Sequence, residues 1–199
     1  MQPTYLEFLK TSPDLAKNLS AIFKPYSVEF MDCMLPILHA EGALKSDGGL
    51  NSRANDRGGL TKFGISQSAF PKLDISSLTL SNAVRIYHTN YWRPMHCKHV
   101  DTGLALMLLD GAVQHGVNGM TQLLQKKANS KPDGIFGPLT LKATLSMEPA
   151  SLLIGLGMKR ARKYARICAQ DSSQIANLEG WFNRLEHMTD LALKEVSHG

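Results

Sequence analysis

The segment that decides the fold is residues 102–115, which read Thr-Gly-Leu-Ala-Leu-Met-Leu-Leu-Asp-Gly-Ala-Val-Gln-His. The apolar run from Leu104 to Leu109 leaves a helix at this place almost no polar face. A helix that is apolar on nearly every side is stable only when other elements surround it. We therefore expect this segment to form the central helix of the core.

Apolar residues recur at helical spacing along almost the whole chain, whereas strand-like alternation is scarce. The pattern predicts a mainly α-helical fold with a small loop or β-hairpin region at about 42–66, where the sequence is polar and rich in glycine. Ser27 is a predicted N-cap, and Pro36 should bend or interrupt the helix that follows it. The other helices are predicted at 14–23, 81–92, 118–128, 138–147, 149–169 and 174–196.

Length and composition limit the possible classes of protein. The 199 residues, 43% hydrophobic and 20% charged, suffice for one compact domain and exclude a disordered acidic chain. The net charge of +5 favours polyanions such as nucleic acid, anionic lipid or bacterial wall polymer. The spacing of the three cysteines and seven histidines predicts buried, reduced thiols, no metal and no cofactor. No apolar run is long enough to span a bilayer, and the first thirty residues lack the apolar segment of a secretory signal.

Glu41 lies where a helical pattern gives way to the glycine-rich loop. The carbonyl groups at a helix C-terminus carry partial negative charge, which favours the protonated form of a carboxyl group placed there. A carboxyl group that keeps its proton at neutral pH can act as a general acid. Asp56 and Thr61, farther along the loop, are the groups that we expect to face Glu41. In the alternative, Asp56 caps a turn beside Arg57 and has no chemical role.

Several short blocks occur between about residues 40 and 184. They are Glu41-Gly42, Asp56-x-Gly58-Gly59-x-Thr61-x-x-Gly64-Ile65-Ser66, Tyr87-x-x-x-Tyr91-Trp92, Asp110-x-Ala112-Val113-x-x-Gly116, Leu124-Gln125, Asp133-Gly134-x-x-Gly137-Pro138-x-Thr140-Leu141 and Gly180-Trp181-x-Asn183-Arg184. Together they resemble glycoside hydrolase family 108. The resemblance implies a lysozyme-like helical fold, N-acetylmuramidase activity of the phage endolysin type, and Glu41 as the catalytic acid. A looser resemblance to the phage-type lysozymes implies supporting roles for Asp56 and Thr61.

Three positions, Ala43, Leu44 and Gln114, depart from the pattern of the family. The family usually reads Glu-Gly-Gly-Tyr where this chain has Glu41-Gly42-Ala43-Leu44, so an aromatic residue that could line the cleft is missing. The family favours Asn where Gln114 stands. Either carboxyl separation found in glycosidases, retaining or inverting, is compatible with the residue types present.

Substrate contacts are expected from aromatic rings that stack on sugars and from polar groups that meet N-acetyl and hydroxyl groups. The residues are Tyr91, Trp92, Gln114, His115, Trp181 and Asn183. In the alternative, Tyr87 and Tyr91 belong to the core, since they lie four residues apart on one helix face. A separate alternative for His115 is a satisfied or solvent-facing histidine without a substrate contact.

A basic stripe is predicted near the end of the helix at 149–169. Lys159, Arg162, Lys163 and Arg166 share one face, while the opposite face is apolar and should pack inward through Ala161, Tyr164, Ala165 and Cys168. The stripe is either a solvated surface or a contact with the anionic bacterial envelope. Nucleic-acid binding would leave Glu41 and the Gly58-Gly59-x-Thr61 loop unexplained, so no nucleic-acid partner is expected.

These observations predict a single lysozyme-like hydrolase domain over residues 1–199, whose helical part from about 118 to 199 resembles a peptidoglycan-binding module. The predicted enzyme is a monomer that cleaves the β-1,4 bond between N-acetylmuramic acid and N-acetylglucosamine in peptidoglycan glycan strands. The alternatives are a lytic transglycosylase with the same glutamate, a secreted antibacterial wall-degrading toxin and a non-enzymatic wall-binding protein. Synthesis in the cytoplasm is expected, followed by action on periplasmic peptidoglycan after holin release or injection.

Overall fold

The computed structural model describes residues 10–51 and 59–197. Within these ranges the chain is mainly α-helical and has one small two-stranded sheet, which confirms the predicted lysozyme-like, mainly helical class. The chain divides into two compact units, Met1–His88 and Thr89–Gly199. Each unit is built around helices of its own.

The described helices of the first unit are α1 (Pro13–Phe23), α2 (Val28–Ala40) and α3 (Leu80–Tyr87). The N-terminus of α2 is capped as predicted, because the Phe30 N–H donates a hydrogen bond to Ser27 Oγ at 3.3 Å. Pro36 lies buried inside α2 and does not end the helix, so the helix continues to the residue before Glu41.

A β-hairpin forms inside the predicted 42–66 region. Its strands are β1 (Thr61–Lys62) and β2 (Ile65–Ser66), which pair antiparallel with Thr61 opposite Ser66. The turn residues Phe63 and Gly64 both have positive φ, +53° and +75°. A two-residue turn with both φ angles positive matches the twist of a hairpin.

The second unit contains α4 (Thr102–His115), α5 (Val117–Lys127), α6 (Pro138–Leu145), α7 (Pro149–Gln170) and α8 (Leu178–Ser197). Two helices differ from prediction. The helix predicted over 81–92 ends at Tyr87 and is followed by a π-helical turn, His88–Trp92. Pro94 comes two residues after this turn, and a proline ring clashes with the backbone of a regular α-helix one turn before it. The helix predicted from residue 174 begins at Leu178, because Asp171 caps a 3-10 turn over Ser172–Asn177.

The central helix is α4, as its sequence predicts. Every residue from Gly103 to Ala112 is buried, and α5, α7 and α8 pack around the helix. Two glycines let the neighbours approach closely. A Cβ atom at Gly103 would collide with the backbone carbonyl of Ala192 on α8, and one at Gly111 would collide with the Met120 side chain on α5.

The inward face of α7 differs in part from the prediction. Tyr164 and Cys168 are buried as expected, whereas Ala165 is exposed. Arg160, which the sequence groups with the basic residues, is completely buried. The core-facing strip of α7 is narrower than the sequence suggests and includes one charged residue.

Two further expectations from the sequence concern the cysteines and membrane-spanning segments. Cys33, Cys97 and Cys168 are free and buried, which confirms the prediction for the thiols. Within the described ranges, no helix combines the length and the apolar character that crossing a membrane requires.

Candidate active site

Glu41 is the C-cap residue of α2, and a left-handed glycine turns the backbone away directly after it. Gly42 has a φ of +67°, and its N–H donates to the His39 carbonyl at 3.0 Å. The Ala43 N–H donates to the Leu38 carbonyl at 2.9 Å, which completes a Schellman motif. Because Leu38 and Ala43 are both buried, the core fixes the residue at which α2 ends. Glu41 itself is half-buried.

The hairpin of β1 and β2 places Gly64 against the Glu41 side chain. A Cβ atom at Gly64 would lie 2.8 Å from Glu41 Cγ and would collide with Tyr87 Oη. The Tyr87 hydroxyl donates a hydrogen bond to the Phe63 carbonyl at 2.9 Å, which ties α3 to the turn of the hairpin. Only a residue without a side chain permits these contacts, so the backbone of the turn forms one wall of the site.

The polar loop after Glu41 folds back onto the same hairpin. The Phe63 N–H donates to the Gly48 carbonyl at 2.7 Å, and the Phe63 ring lies over Gly48, whose Cβ would be 2.8 Å from Cζ of the ring. A Cβ at Gly49 would lie 2.9 Å from the Gly42 carbonyl oxygen. Phe63 is a bulky residue in the left-handed region, a strained conformation of the kind found at functional sites.

A groove of about 750 Å³ lies beside this loop in the first unit. Its lining includes Leu15, Leu44, Lys45, Asp47 and Phe63. Glu41 is not part of the lining, and the lining residue nearest to it in the sequence is Ala43. The volume is that of a typical ligand site. Apolar side chains next to a lysine and an aspartate suit a sugar, which has apolar ring faces and polar edges.

Thr61 is held at the start of the hairpin. It exchanges two backbone hydrogen bonds of 2.9 Å with Asn51, and its hydroxyl donates to the Gly59 carbonyl at 3.3 Å. Asp56 lies outside the described residues, and Asn51 and Gly59 are the described residues on either side of that gap. The structure thus brings Thr61 into the hairpin that contacts Glu41, while the role of Asp56 stays a prediction.

In the second unit, three of the predicted substrate contacts meet around Tyr164. The Tyr164 ring stacks on that of Trp181, with centroids 5.0 Å apart and an interplanar angle of 24°. The His115 ring centroid also lies 5.0 Å from that of Tyr164. The Tyr164 hydroxyl donates to Gln114 Oε1 at 3.3 Å. Trp181 is half-buried, so part of it remains accessible.

A buried ion cluster supports this aromatic group. Asp110 accepts hydrogen bonds from Arg160 Nη2 at 2.5 Å and from Arg184 Nε at 2.8 Å. Burial raises the pKa of Asp110, but the charges of Arg184 and Arg160 outweigh that effect and hold the pKa below its ordinary value. Arg160 Nη2 also donates to Tyr164 Oη at 3.4 Å, which connects the ion cluster to the stacked rings.

His115 is a neutral imidazole in this environment. Burial lowers its pKa to about 3, and the positive charges of Arg160 and Lys163 act in the same direction. Its Nε2 atom is buried and has no hydrogen-bond partner in the part of the chain that the structure describes. The ring is therefore uncharged at neutral pH.

The remaining predicted contacts are separate side chains of the second unit. Tyr91 is half-buried and Asn183 is exposed, whereas Trp92 is 3% exposed and is part of the core. Tyr87 is 1% exposed, as its alternative interpretation as a core residue predicts. Across residues 10–51 and 59–197, no group of three His, Cys, Asp or Glu side chains lies close enough together to hold a metal ion.

Sequence reasoning missed two residues near these sites. Gly64 received no role of its own, and its contact with Glu41 depends on tertiary structure that no local pattern contains. Tyr164 was expected only to pack, yet it joins Gln114, His115 and Trp181. A signal for Tyr164 existed, since it follows Arg160 by one helical turn on the inward face of α7.

Comparison with known proteins gives two family matches. Residues 40–116 match the family described as Glycosyl hydrolase 108, and residues 117–186 match the family described as Predicted Peptidoglycan domain. No match is found among the curated proteins. Among solved structures, the chain is similar to the one described as "Structure of Brucella abortus SagA". The TM-score is 0.69 and the identity 24%, over 82% of this chain and 94% of that chain, a likeness that shows the fold.

Proposed function

We propose that this peptidoglycan hydrolase, whose residues 40–116 match glycosyl hydrolase family 108, cleaves the β-1,4 bond between N-acetylmuramic acid and N-acetylglucosamine. Residues 117–186 belong to the peptidoglycan domain family, and peptidoglycan is the partner of the chain. Three features are proposed here: the glycosidic bond that is cleaved, Glu41 as the proton donor, and the residues that contact the glycan.

The contact between Glu41 and the hairpin carries the proposal. A general acid has to be held in one orientation toward the leaving oxygen. The Schellman turn at Gly42 and the close approach of Gly64 both restrict where the Glu41 carboxyl can lie. The neighbouring groove offers room for a sugar-sized ligand. These restraints support Glu41 as the acid.

In the proposed reaction, Glu41 gives its proton to the glycosidic oxygen as the bond from that oxygen to C1 of N-acetylmuramic acid breaks. The leaving N-acetylglucosamine gains its 4-hydroxyl, a water molecule supplies the hydroxyl group at C1, and the remaining proton of that water returns through solvent to the Glu41 carboxylate. Asp56 and Thr61 stabilise the positive charge that develops on the sugar ring or position the water. The hydrogen bond of Thr61 to Gly59 supports a fixed position for its hydroxyl.

Glycan contacts in the second unit are proposed for the face of Trp181 and for the polar groups of Gln114, His115 and Asn183. Stacking on Tyr164 holds the Trp181 ring in one plane, which suits contact with the apolar face of a sugar. A contact through the half-buried Tyr91 stays a prediction, whereas Trp92 lies in the core and is not proposed as a sugar contact. The compartment also stays a prediction: release from the cytoplasm by a holin or by injection, followed by action in the periplasm.

Product analysis tests the proposed bond. Purified sacculi are digested with the full chain and the soluble fragments are identified by mass spectrometry. The proposal expects fragments that end in reducing N-acetylmuramic acid. Fragments ending in 1,6-anhydro-N-acetylmuramic acid would identify a lytic transglycosylase instead, and reducing N-acetylglucosamine ends would move the cleavage to the other glycosidic bond. Binding to sacculi without any soluble fragments would contradict catalysis altogether.

A further inference from the structure

Helices α5 and α7 carry positive charge without any negative charge. α5 contains two lysines, α7 contains five Lys and Arg residues, and neither helix contains Asp or Glu. Arg160 is buried and paired with Asp110, so it does not contribute to the surface. We call Lys126, Lys159, Arg162, Lys163 and Arg166 the cationic face.

Two lysines join α5 and α7 into one surface. The Lys163 ammonium lies over Gly119 of α5, where a Cβ atom would be 2.8 Å from Nζ. Lys127 crosses in the opposite direction over Gly155 of α7, and its Nζ donates to Ser151 Oγ at 3.4 Å. Glycine at these two places lets the lysine stems lie flat against the neighbouring helix.

The fold keeps these like charges together. Burial lowers the pKa of Lys163, and the charge of Lys126 lowers it further, so the two ammonium groups repel each other. None of the five residues of the cationic face forms an ion pair with another residue in the described ranges. Lys126, Arg162 and Arg166 are exposed. An external anion would therefore meet concentrated positive charge that no internal carboxylate neutralises.

We propose that the cationic face binds the carboxylates of the stem peptides of peptidoglycan. The inference rests on the proposed function for the identity of the polymer. All five residues lie within 117–186, the part that matches the peptidoglycan domain family. Stem peptides carry free carboxylates at regular intervals along a glycan strand, and a row of flexible cations matches such a polyanion without strict geometry.

Co-sedimentation with purified sacculi tests this contact in the full chain. One set of sacculi keeps its carboxyl groups, and in a second set they are converted to neutral amides by carbodiimide coupling. The variant K159Q/R162Q/K163Q/R166Q removes four charges of the cationic face. The matched control K10Q/K17Q/K24Q/K72Q removes four charges from exposed lysines of the first unit and gives the same net charge.

At low salt, we expect the cationic-face variant to bind intact sacculi at least about tenfold more weakly than the unmodified chain. Each exposed charge contact contributes modestly to binding, and the variant removes four of them. The control variant should stay within about twofold of the unmodified chain. Amidated sacculi should weaken binding of the unmodified chain and of the control but not of the cationic-face variant. Thermal unfolding of each variant checks that its fold is intact.

Equal binding of the unmodified chain to intact and amidated sacculi would overturn the proposal. Tighter binding to duplex DNA or to phosphatidylglycerol vesicles than to intact sacculi, lost in the cationic-face variant, would overturn it in favour of a phosphate partner. Failure of the inference is separable from failure of the proposed function. If the chain cleaves the expected bond but binds sacculi independently of their carboxylates, only the inference about the cationic face is refuted. If binding depends on the carboxylates but no bond is cleaved, only the proposed muramidase activity is refuted.

Discussion

The Glu41 side chain is in contact with the backbone of Gly64, with 2.8 Å between Glu41 Cγ and the place that a Gly64 Cβ would take. The two residues come from different elements, the end of α2 and the turn of the hairpin. Their contact links the orientation of the proposed acid to the conformation of a two-residue turn. A change at Gly64 should therefore alter activity without removing any functional group.

Gly64→Ala is expected to lower hydrolytic activity by about 100-fold, the size of effect that misplacement of a catalytic group by about 1 Å produces. The added methyl group would meet both Glu41 Cγ and Tyr87 Oη. The left-handed φ of +75° adds a conformational cost of roughly 1–2 kcal/mol for a residue other than glycine. The measurement is the rate of sacculus digestion by folded variant protein.

Gly59→Ala is the matched control for this variant. Gly59 has a φ of +66°, but among the described residues a Cβ there would meet only Gln67 Cβ, at an ordinary 3.6 Å. The Gly59→Ala variant therefore has the conformational cost of an alanine at positive φ but no collision with a described residue. Equal loss of activity in the two variants would show that backbone strain, and not displacement of Glu41, explains the effect.

Asp110 should make stability depend on acid pH. Its folded-state pKa lies below the ordinary value because Arg184 and Arg160 together outweigh burial. The stabilisation is thus complete above the unfolded pKa of about 4 and is lost as the pH falls through the folded value. Asp110→Asn should lower the free energy of unfolding at neutral pH by about 3–5 kcal/mol and flatten its acid dependence. Urea unfolding at several pH values measures the free energy of unfolding and its pH dependence. If the variant and the unmodified chain lost stability in parallel as the pH falls, the result would argue against the ion cluster.

His115 should remain neutral far below the pH at which an ordinary histidine titrates. Its folded pKa is about 3 against 6.5 for the free side chain, so the unfolded state binds the proton first and stability falls as the pH drops between these values. His115→Gln should remove this part of the pH dependence. NMR titration of the imidazole tests the point directly, and a midpoint near 6.5 would contradict the buried, uncharged ring.

A fragment that ends at residue 116, the limit of the hydrolase family match, should not fold. The central helix α4 would lose α5, α7 and α8, and its buried residues would face water. We expect a fragment without cooperative unfolding, as measured by near-ultraviolet circular dichroism during heating. A soluble, cooperatively unfolding and active fragment would show that the hydrolase part is independent of the rest.

Helices were predictable from sequence wherever local signals agree. The apolar run in α4 and the N-cap at Ser27 are patterns of a few consecutive residues, and both are confirmed. The hairpin was predictable as a region, from its glycines and polar residues. Its contact with Glu41 was not, because it depends on how the loop from Gly42 folds back onto Phe63.

The buried ion cluster shows a signal that was present but not used. Arg160 lies on the same face of α7 as Leu153, Leu156 and Tyr164, and Asp110 is the one acidic residue of the mainly apolar α4. A buried charge needs a partner of opposite sign, so the two residues predict each other. Four other basic residues lie close to Arg160 in the sequence, at 159, 162, 163 and 166, and they obscure this pairing.

Glu41→Gln tests the central claim most directly, because it replaces the proposed acid by a side chain of the same shape that cannot donate a proton in the same way. Turbidity reduction of permeabilised Gram-negative cells measures the activity, and thermal unfolding confirms the fold. The account predicts a loss of roughly 10²–10⁴-fold with unchanged unfolding temperature, the usual contribution of general acid catalysis. A folded variant that keeps more than about a tenth of the activity would contradict the role of Glu41 as the proton donor.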